Sequence, residues 1–170
     1  EYSDKEYKLK LEQFMENALF SSEMLEVVPI YTNYCRDQYR SASSNSPYAV
    51  IEIEQRLDLT EYIPESFGTA DCVIISDGVM EVIDLKYGKG VAVEAADNKQ
   101  LMLYGLGALR KYDTMYDIHS VTLTIVQPRL DNISSWTISV EDLQHWAENE
   151  LKNKAQLAFN GQGELKSGSW

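Results

Sequence analysis

Residues 71–86 read DCVIISDGVMEVIDLK, and the fold turns on this stretch. Two β-rich runs, Cys72–Ser76 and Val79–Leu85, flank Asp77-Gly78. An Asp-Gly pair between such runs predicts a two-residue hairpin, because a type I′ turn needs positive φ at both positions. Facing Ser76 with Val79 sets the register and puts Asp71 directly across from Asp84. Lys86, two residues on, shares that face, while the side chain of Leu85 points into the opposite layer. Both runs are apolar on both faces, as in a central, covered hairpin.

Two facing carboxylates destabilise a sheet unless something neutralises them. A divalent cation does so: Mg²⁺ takes one or two carboxylates and keeps several waters. Lys86 would then stand beside a metal-bound water, the layout of metal-assisted phosphodiester hydrolysis. The competing reading is a solvated Asp–Asp–Lys triad of little consequence. Against it, Asp84 and Lys86 interrupt an otherwise apolar strand, where charge needs a reason.

Outward from the hairpin, residues 4–40 carry apolar side chains at helical spacing, with a kink or boundary expected at Pro29. Ala49–Leu59 alternates, with Ile51, Ile53 and Leu57 assigned to a core face and Glu52, Glu54 and Arg56 to the solvent face. Residues 97–112 form a helix apolar nearly all round, with Asp97 as its N-cap. Gln100 and Tyr104, four apart, are a polar pair on it, although Asp97-x-x-Gln100 also fits a capping box. Residues 119–127 are a strand ended by Pro128, and Ser139-x-x-Asp142 opens a last helix. The polar breaks are Ser41–Pro47 and Asn160–Ser169.

The 170 residues predict one domain at ~150 residues per domain. We divide it into helical residues 1–45, a sheet and catalytic core over 49–127, and a C-terminal helix over 139–159. The class is α/β, a small mixed central sheet flanked by helices. Fifteen basic against 27 acidic residues leave a net charge of −12, which argues against a basic strip gripping nucleic acid. Cys35 and Cys72 make neither a disulfide framework nor a metal-binding spacing. No apolar run approaches the ~18 residues of a membrane span, so a soluble, membrane-free, cytoplasmic protein is expected.

The series Gly68-Thr69-Ala70-Asp71, Ile83-Asp84-Leu85-Lys86, then Gln100-x-x-x-Tyr104 resembles the motifs G-x-x-D, D/E-x-K and Q-x-x-x-Y. These belong to the RecB-like branch of the PD-(D/E)XK nuclease superfamily. Over residues ~50–160 the chain is similar to a phage- and prophage-encoded family of unassigned function in that clan. The resemblance implies a restriction-endonuclease-like core and a Mg²⁺- or Mn²⁺-dependent DNA nuclease in a bacterial host cell, acting on ends or single strands. It implies Asp71 and Asp84 as metal ligands with the carbonyl of Leu85, Lys86 as the catalytic lysine, and Gln100 and Tyr104 facing the site. A phage or host recombination or replication protein is an expected partner. The alternative is a catalytically silent accessory module in phage DNA processing.

The sequence departs from the branch in lacking a G-x-x-x-H motif upstream; His119 and His145 come later and read as surface or strand-end residues. Glu12, Glu16, Glu23 and Glu26 are candidate replacements. There is no terminal cysteine cluster, hence no expected iron–sulfur centre. Beginning at Glu1, the chain reads as a piece of a longer protein. Glu54 reads as solvated, with an extra ligand as the sharper alternative. Tyr87-Gly88-Lys89-Gly90 is a small basic loop able to approach a phosphate backbone, without P-loop spacing.

Overall fold

The computed structural model describes residues 3–163. Two helices come first, α1 (Asp4–Met15) and α2 (Glu23–Asn45), followed by strands β1 (Val50–Asp58), β2 (Phe67–Ser76) and β3 (Val79–Leu85). Helix α3 (Lys99–Tyr116) leads to β4 (Ser120–Gln127) and β5 (Asn132–Ser139), joined by a 3₁₀ turn, Pro128–Leu130. Helices α4 (Val140–Trp146) and α5 (Lys152–Phe159) close the chain around a π turn, Ala147–Leu151. The strands lie in the order β1-β2-β3-β4-β5. Among the described strands only β3 and β4 pair in parallel, because α3 carries the chain back between them. The result is the expected mixed α/β sheet flanked by helices.

The central hairpin has the expected register, with Ser76 facing Val79 and Cys72 facing Ile83. Its turn differs: Gly78 takes φ +78°, whereas Asp77 has no positive φ, so the turn is not type I′. Tertiary bonds set its shape. Gly78 N–H donates to the Tyr116 carbonyl, His119 N–H donates to the Gly78 carbonyl, and the Asp77 carboxylate accepts from Ser46 Oγ.

Two cores lie on the two faces of the sheet. The larger, under α3, joins Leu57, Val73, Ile75, Val82, Leu123 and Ile125 to Leu101, Leu106 and Leu109 of the helix. Each such side chain contributes about 1.5–3 kcal/mol on burial. Helix α3 lies close against β1 at Gly107, where a Cβ would stand 2.9 Å from Leu57 Cβ. The smaller core, under α2, joins Cys35, Cys72, Ile74, Ile83 and Val126 with Tyr31, Tyr34 and Ile51.

This two-sided arrangement corrects the reading of β1. Ile51 packs under α2 and Leu57 under α3, although both are odd-numbered. The ladder with β2 runs through Ile53–Cys72 and resumes at Gln55–Ala70, skipping Glu54 and Asp71. Glu54 takes φ +52°, and this break reverses the facing of both strands. Ile53, just before the break, is 59% exposed instead of buried.

Three further differences have local causes. Helix α2 runs through Pro29, and the break falls earlier, between Met15 and Glu23. Pro29 lies on an exposed turn next to Ile30, where the freed carbonyl of the preceding turn can meet water. Residues 132–139, unassigned by the sequence reading, form edge strand β5; Ser134-Ser135 interrupts the apolar alternation there. The N-cap of α3 is Asn98, whose side chain accepts from Leu101 N–H, while Asp97 takes φ +55°. Of the polar tail Asn160–Ser169, residues 164–169 lie outside the described residues.

Candidate active site

The ladder between β2 and β3 stops at Cys72–Ile83, one residue short of Asp71. Asp71 therefore does not face Asp84 as a ladder pair. Its side chain supplies the missing rung instead: Oδ2 accepts from Leu85 N–H at 2.7 Å. On the other edge of β3, Lys86 N–H donates to the Val126 carbonyl of β4. Within a strand the N–H and C=O of one residue leave on the same side. The Leu85 carbonyl thus points to the Asp71 side, as a ligand role requires.

Asp84 stands under α3 and is 3% exposed. Its Oδ2 lies 2.7 Å from Lys86 Nζ, yet the atom has no hydrogen-bond partner of acceptable angle. The contact is an ion pair by distance that leaves lone pairs unclaimed. Burial pushes the Asp84 carboxyl up, Lys86 opposes that, and the nearby Asp71 charge adds to the rise. Lys86 Nζ also donates to Gln100 Oε1 at 2.7 Å, and Gln100 Nε2 donates to Tyr104 Oη at 2.9 Å. Because Asn98 caps the helix, the Gln100 side chain is free to make this bond.

Tyr104 completes the chain by lying on Gly68. A Cβ at position 68 would stand 2.6 Å from Tyr104 Cε1, so only glycine admits the ring here. The five residues Asp71, Asp84, Lys86, Gln100 and Tyr104 are thereby brought together from β2, β3 and α3. The segment between β3 and α3 is held by side chains of the β4–β5 corner. Gln127 Oε1 accepts from Val93 N–H, Asn132 Nδ2 donates to the Val93 carbonyl, and Ser134 Oγ accepts from Ala95 N–H.

Among the glutamates considered upstream, Glu23 reaches the carboxyl end of the parallel strands. Its Oε1 pairs with Lys89 at 2.7 Å and its Oε2 with Arg129 at 2.8 Å. Glu12, Glu16 and Glu26 are exposed on α1, just beyond it and on α2, and Glu54 is exposed on β1. His119 and His145 are exposed. The sequence reading missed the Glu23–Lys89–Arg129 cluster, whose members lie 66 and 40 residues apart and carry no shared motif.

Among the described residues, no three His, Cys, Asp or Glu side chains converge as a metal cluster. The candidate donors, Asp71, Asp84 and the Leu85 carbonyl, are all oxygen. That set, with a buried Asp84 oxygen that accepts no hydrogen bond, fits Mg²⁺ or Mn²⁺ completed by water and does not fit a soft-metal site.

The whole chain, residues 1–170, matches one family, described as "Protein of unknown function (DUF2800)", and the protein belongs to it. Among solved structures it is similar to a phage related exonuclease from Haemophilus somnus 129PT, at 12% identity and a TM-score of 0.32, covering 94% of this chain and 85% of that one. It is also similar to SSO0001, at 13% identity and a TM-score of 0.30, covering 84% and 67%. At these scores the functional reading rests on this chain's own residues. No described helix is long and apolar enough to cross a membrane.

Proposed function

We propose that this member of the DUF2800 family is a divalent-cation-dependent nuclease of the PD-(D/E)XK type, hydrolysing phosphodiester bonds in DNA at Asp71, Asp84 and Lys86. The observation that carries the reading is Asp84, a carboxylate in an apolar layer whose buried Oδ2 is ion-paired with Lys86 but accepts no hydrogen bond, beside a second carboxylate. A buried charge costs several kcal/mol unless well paired. Asp71, Asp84 and the Leu85 carbonyl would hold Mg²⁺ or Mn²⁺. When bound, that cation supplies a water activated for attack and stabilises charge on the phosphate.

The chain's own groups do the positioning. An ammonium has three donors and no acceptor. With one N–H donated to Gln100 and the ammonium held by charge beside Asp84, Lys86 keeps donors for the attacking water or a phosphate oxygen. Gln100 and Tyr104 fix the ammonium's position, since Tyr104 is itself seated on Gly68. The motif series further supports a phage origin, a bacterial cytoplasmic setting and DNA ends or single strands as substrate. With a net charge of −12, DNA affinity is local or shared with a recombination or replication partner. The donor set of only two carboxylates is the observation that favours the second reading, a silent accessory module.

The test is Asp84→Asn, assayed by Mn²⁺ calorimetry and by cleavage of labelled DNA. Loss of Mn²⁺ binding and of cleavage, with metal-free melting unchanged or raised, is the expected result. A variant that cleaves like the wild type would end the assignment. Mn²⁺ binding without cleavage by the wild type favours the accessory module.

A further inference from the structure

Lys89 and Arg129 converge on the two oxygens of a single carboxylate, at 2.7 and 2.8 Å. Two cations on two oxygens of one group is the pattern that binds a phosphate by its non-bridging oxygens. The Arg129 guanidinium is held independently of Glu23: Nη1 donates to the Tyr87 carbonyl at 3.2 Å and the group stacks 4.7 Å from the Tyr87 ring. Its Nε is buried without a partner. Lys89, 54% exposed, sits between Gly88 and Gly90, where a Cβ on either glycine would meet nothing within 4 Å. Arg129 follows β4 and Lys89 follows β3, so both stand beyond the carboxyl ends of adjacent parallel strands. Crevices at such strand ends are where open α/β sheets bind ligands. The same end carries Asp84 and Lys86.

We propose that Lys89 and Arg129 form a binding site for a nucleic-acid phosphate, closed in the free protein by the carboxylate of Glu23, which the phosphate must displace. Glu23 belongs to α2, a separate element from the strands that carry its partners, and it is 34% exposed. The two cations hold its carboxyl below the usual glutamate range, which favours the charged form that competes with a phosphate. The site rests on the nuclease reading for the choice of DNA as ligand.

The experiment compares Glu23→Gln with Glu26→Gln, which makes the same charge change at an exposed glutamate in the same helical turn. Affinity for a fluorescent single-stranded deoxyoligonucleotide is measured at low salt in magnesium-free buffer. Glu23→Gln is expected to bind about five-fold tighter than Glu26→Gln, the scale of one exposed ion pair. The gain should vanish when Lys89→Gln is added, a change at an exposed side chain that leaves the fold intact. Equal affinities for the two single variants, including no binding by either, would overturn the site, as would a gain that survives Lys89→Gln. Cleavage is scored separately: tighter binding by Glu23→Gln without any metal-dependent cleavage keeps this site and refutes the nuclease.

Discussion

Gly68→Ala sets two effects of known sign against each other. Gly68 has no positive φ, so its backbone accepts alanine without strain. On that ground alone the substitution stabilises by about 0.4–1 kcal/mol, through the unfolded chain. The new methyl, however, would stand 2.6 Å from Tyr104 Cε1, 3.0 Å from Cδ1 and 3.6 Å from Leu59 Cδ1. Two ring atoms must move, and overpacking of this kind costs about 1–3 kcal/mol. If the ring swings away, it also surrenders the bond from Gln100. The net expectation is a loss of roughly 0.5–2 kcal/mol, a fall in Tm of roughly 1–8 °C for a chain of this size. Thermal and urea melts measure it. In a Tyr104→Ala background the clash is gone, and Gly68→Ala should turn stabilising. Stabilisation in the wild-type background, or the same change in both, would refute the reasoning.

Lys86→Met should lower turnover strongly while Mn²⁺ binding is kept or tightened, because an ammonium is no ligand and a competing cation has gone. Unchanged cleavage with lowered metal-free stability would reduce Lys86 to a counter-charge for Asp84. On the opposite face of the sheet, burial pushes the Glu81 carboxyl up despite hydrogen bonds from Thr124 and Tyr34. The folded state then holds this proton to higher pH than the unfolded chain, so stability falls as pH rises above the ordinary glutamate range. Glu81→Gln should therefore raise Tm at neutral pH and leave it unchanged in acid; an equal rise at both would contradict the shift.

The hairpin was legible because its signals are local. Alternating apolar runs meet at Asp77-Gly78, and the register of Asp71 against β3 follows within one residue. The turn type was not, since Ser46, Tyr116 and His119, all outside the hairpin, impose it. Gln100 and Tyr104 were found through four-residue spacing on an apolar helix. Their seat on Gly68 was not, because a void the size of a ring leaves no trace in composition. The reversal at Glu54 and Asp71 escaped detection for a different reason: period-two reading assumes an unbroken pleat. Both strands also carry side chains that suit either layer. The contact of Cys35 with the Cys72 core likewise joins elements 37 residues apart, with no spacing rule to announce it.

The side-chain stitching of the segment between β3 and α3 has a consequence for how the chain assembles. Asp71 reaches the Leu85 N–H, next to Asp84, across a hairpin closed by a two-residue turn, among the faster closures a chain makes. Gln100 and Tyr104 arrive differently. The segment that leads to them is tied to Gln127, Asn132 and Ser134, more than thirty residues downstream, and those positions exist only once β4 lies parallel to β3. Parallel pairing of this kind is slow, because its entropy must be spent before any contact rewards it. Asp71 and Asp84 are therefore expected on adjacent strands early, without the lysine's helical support until the sheet is nearly whole. A chain caught midway holds its negative charges without the groups that direct them.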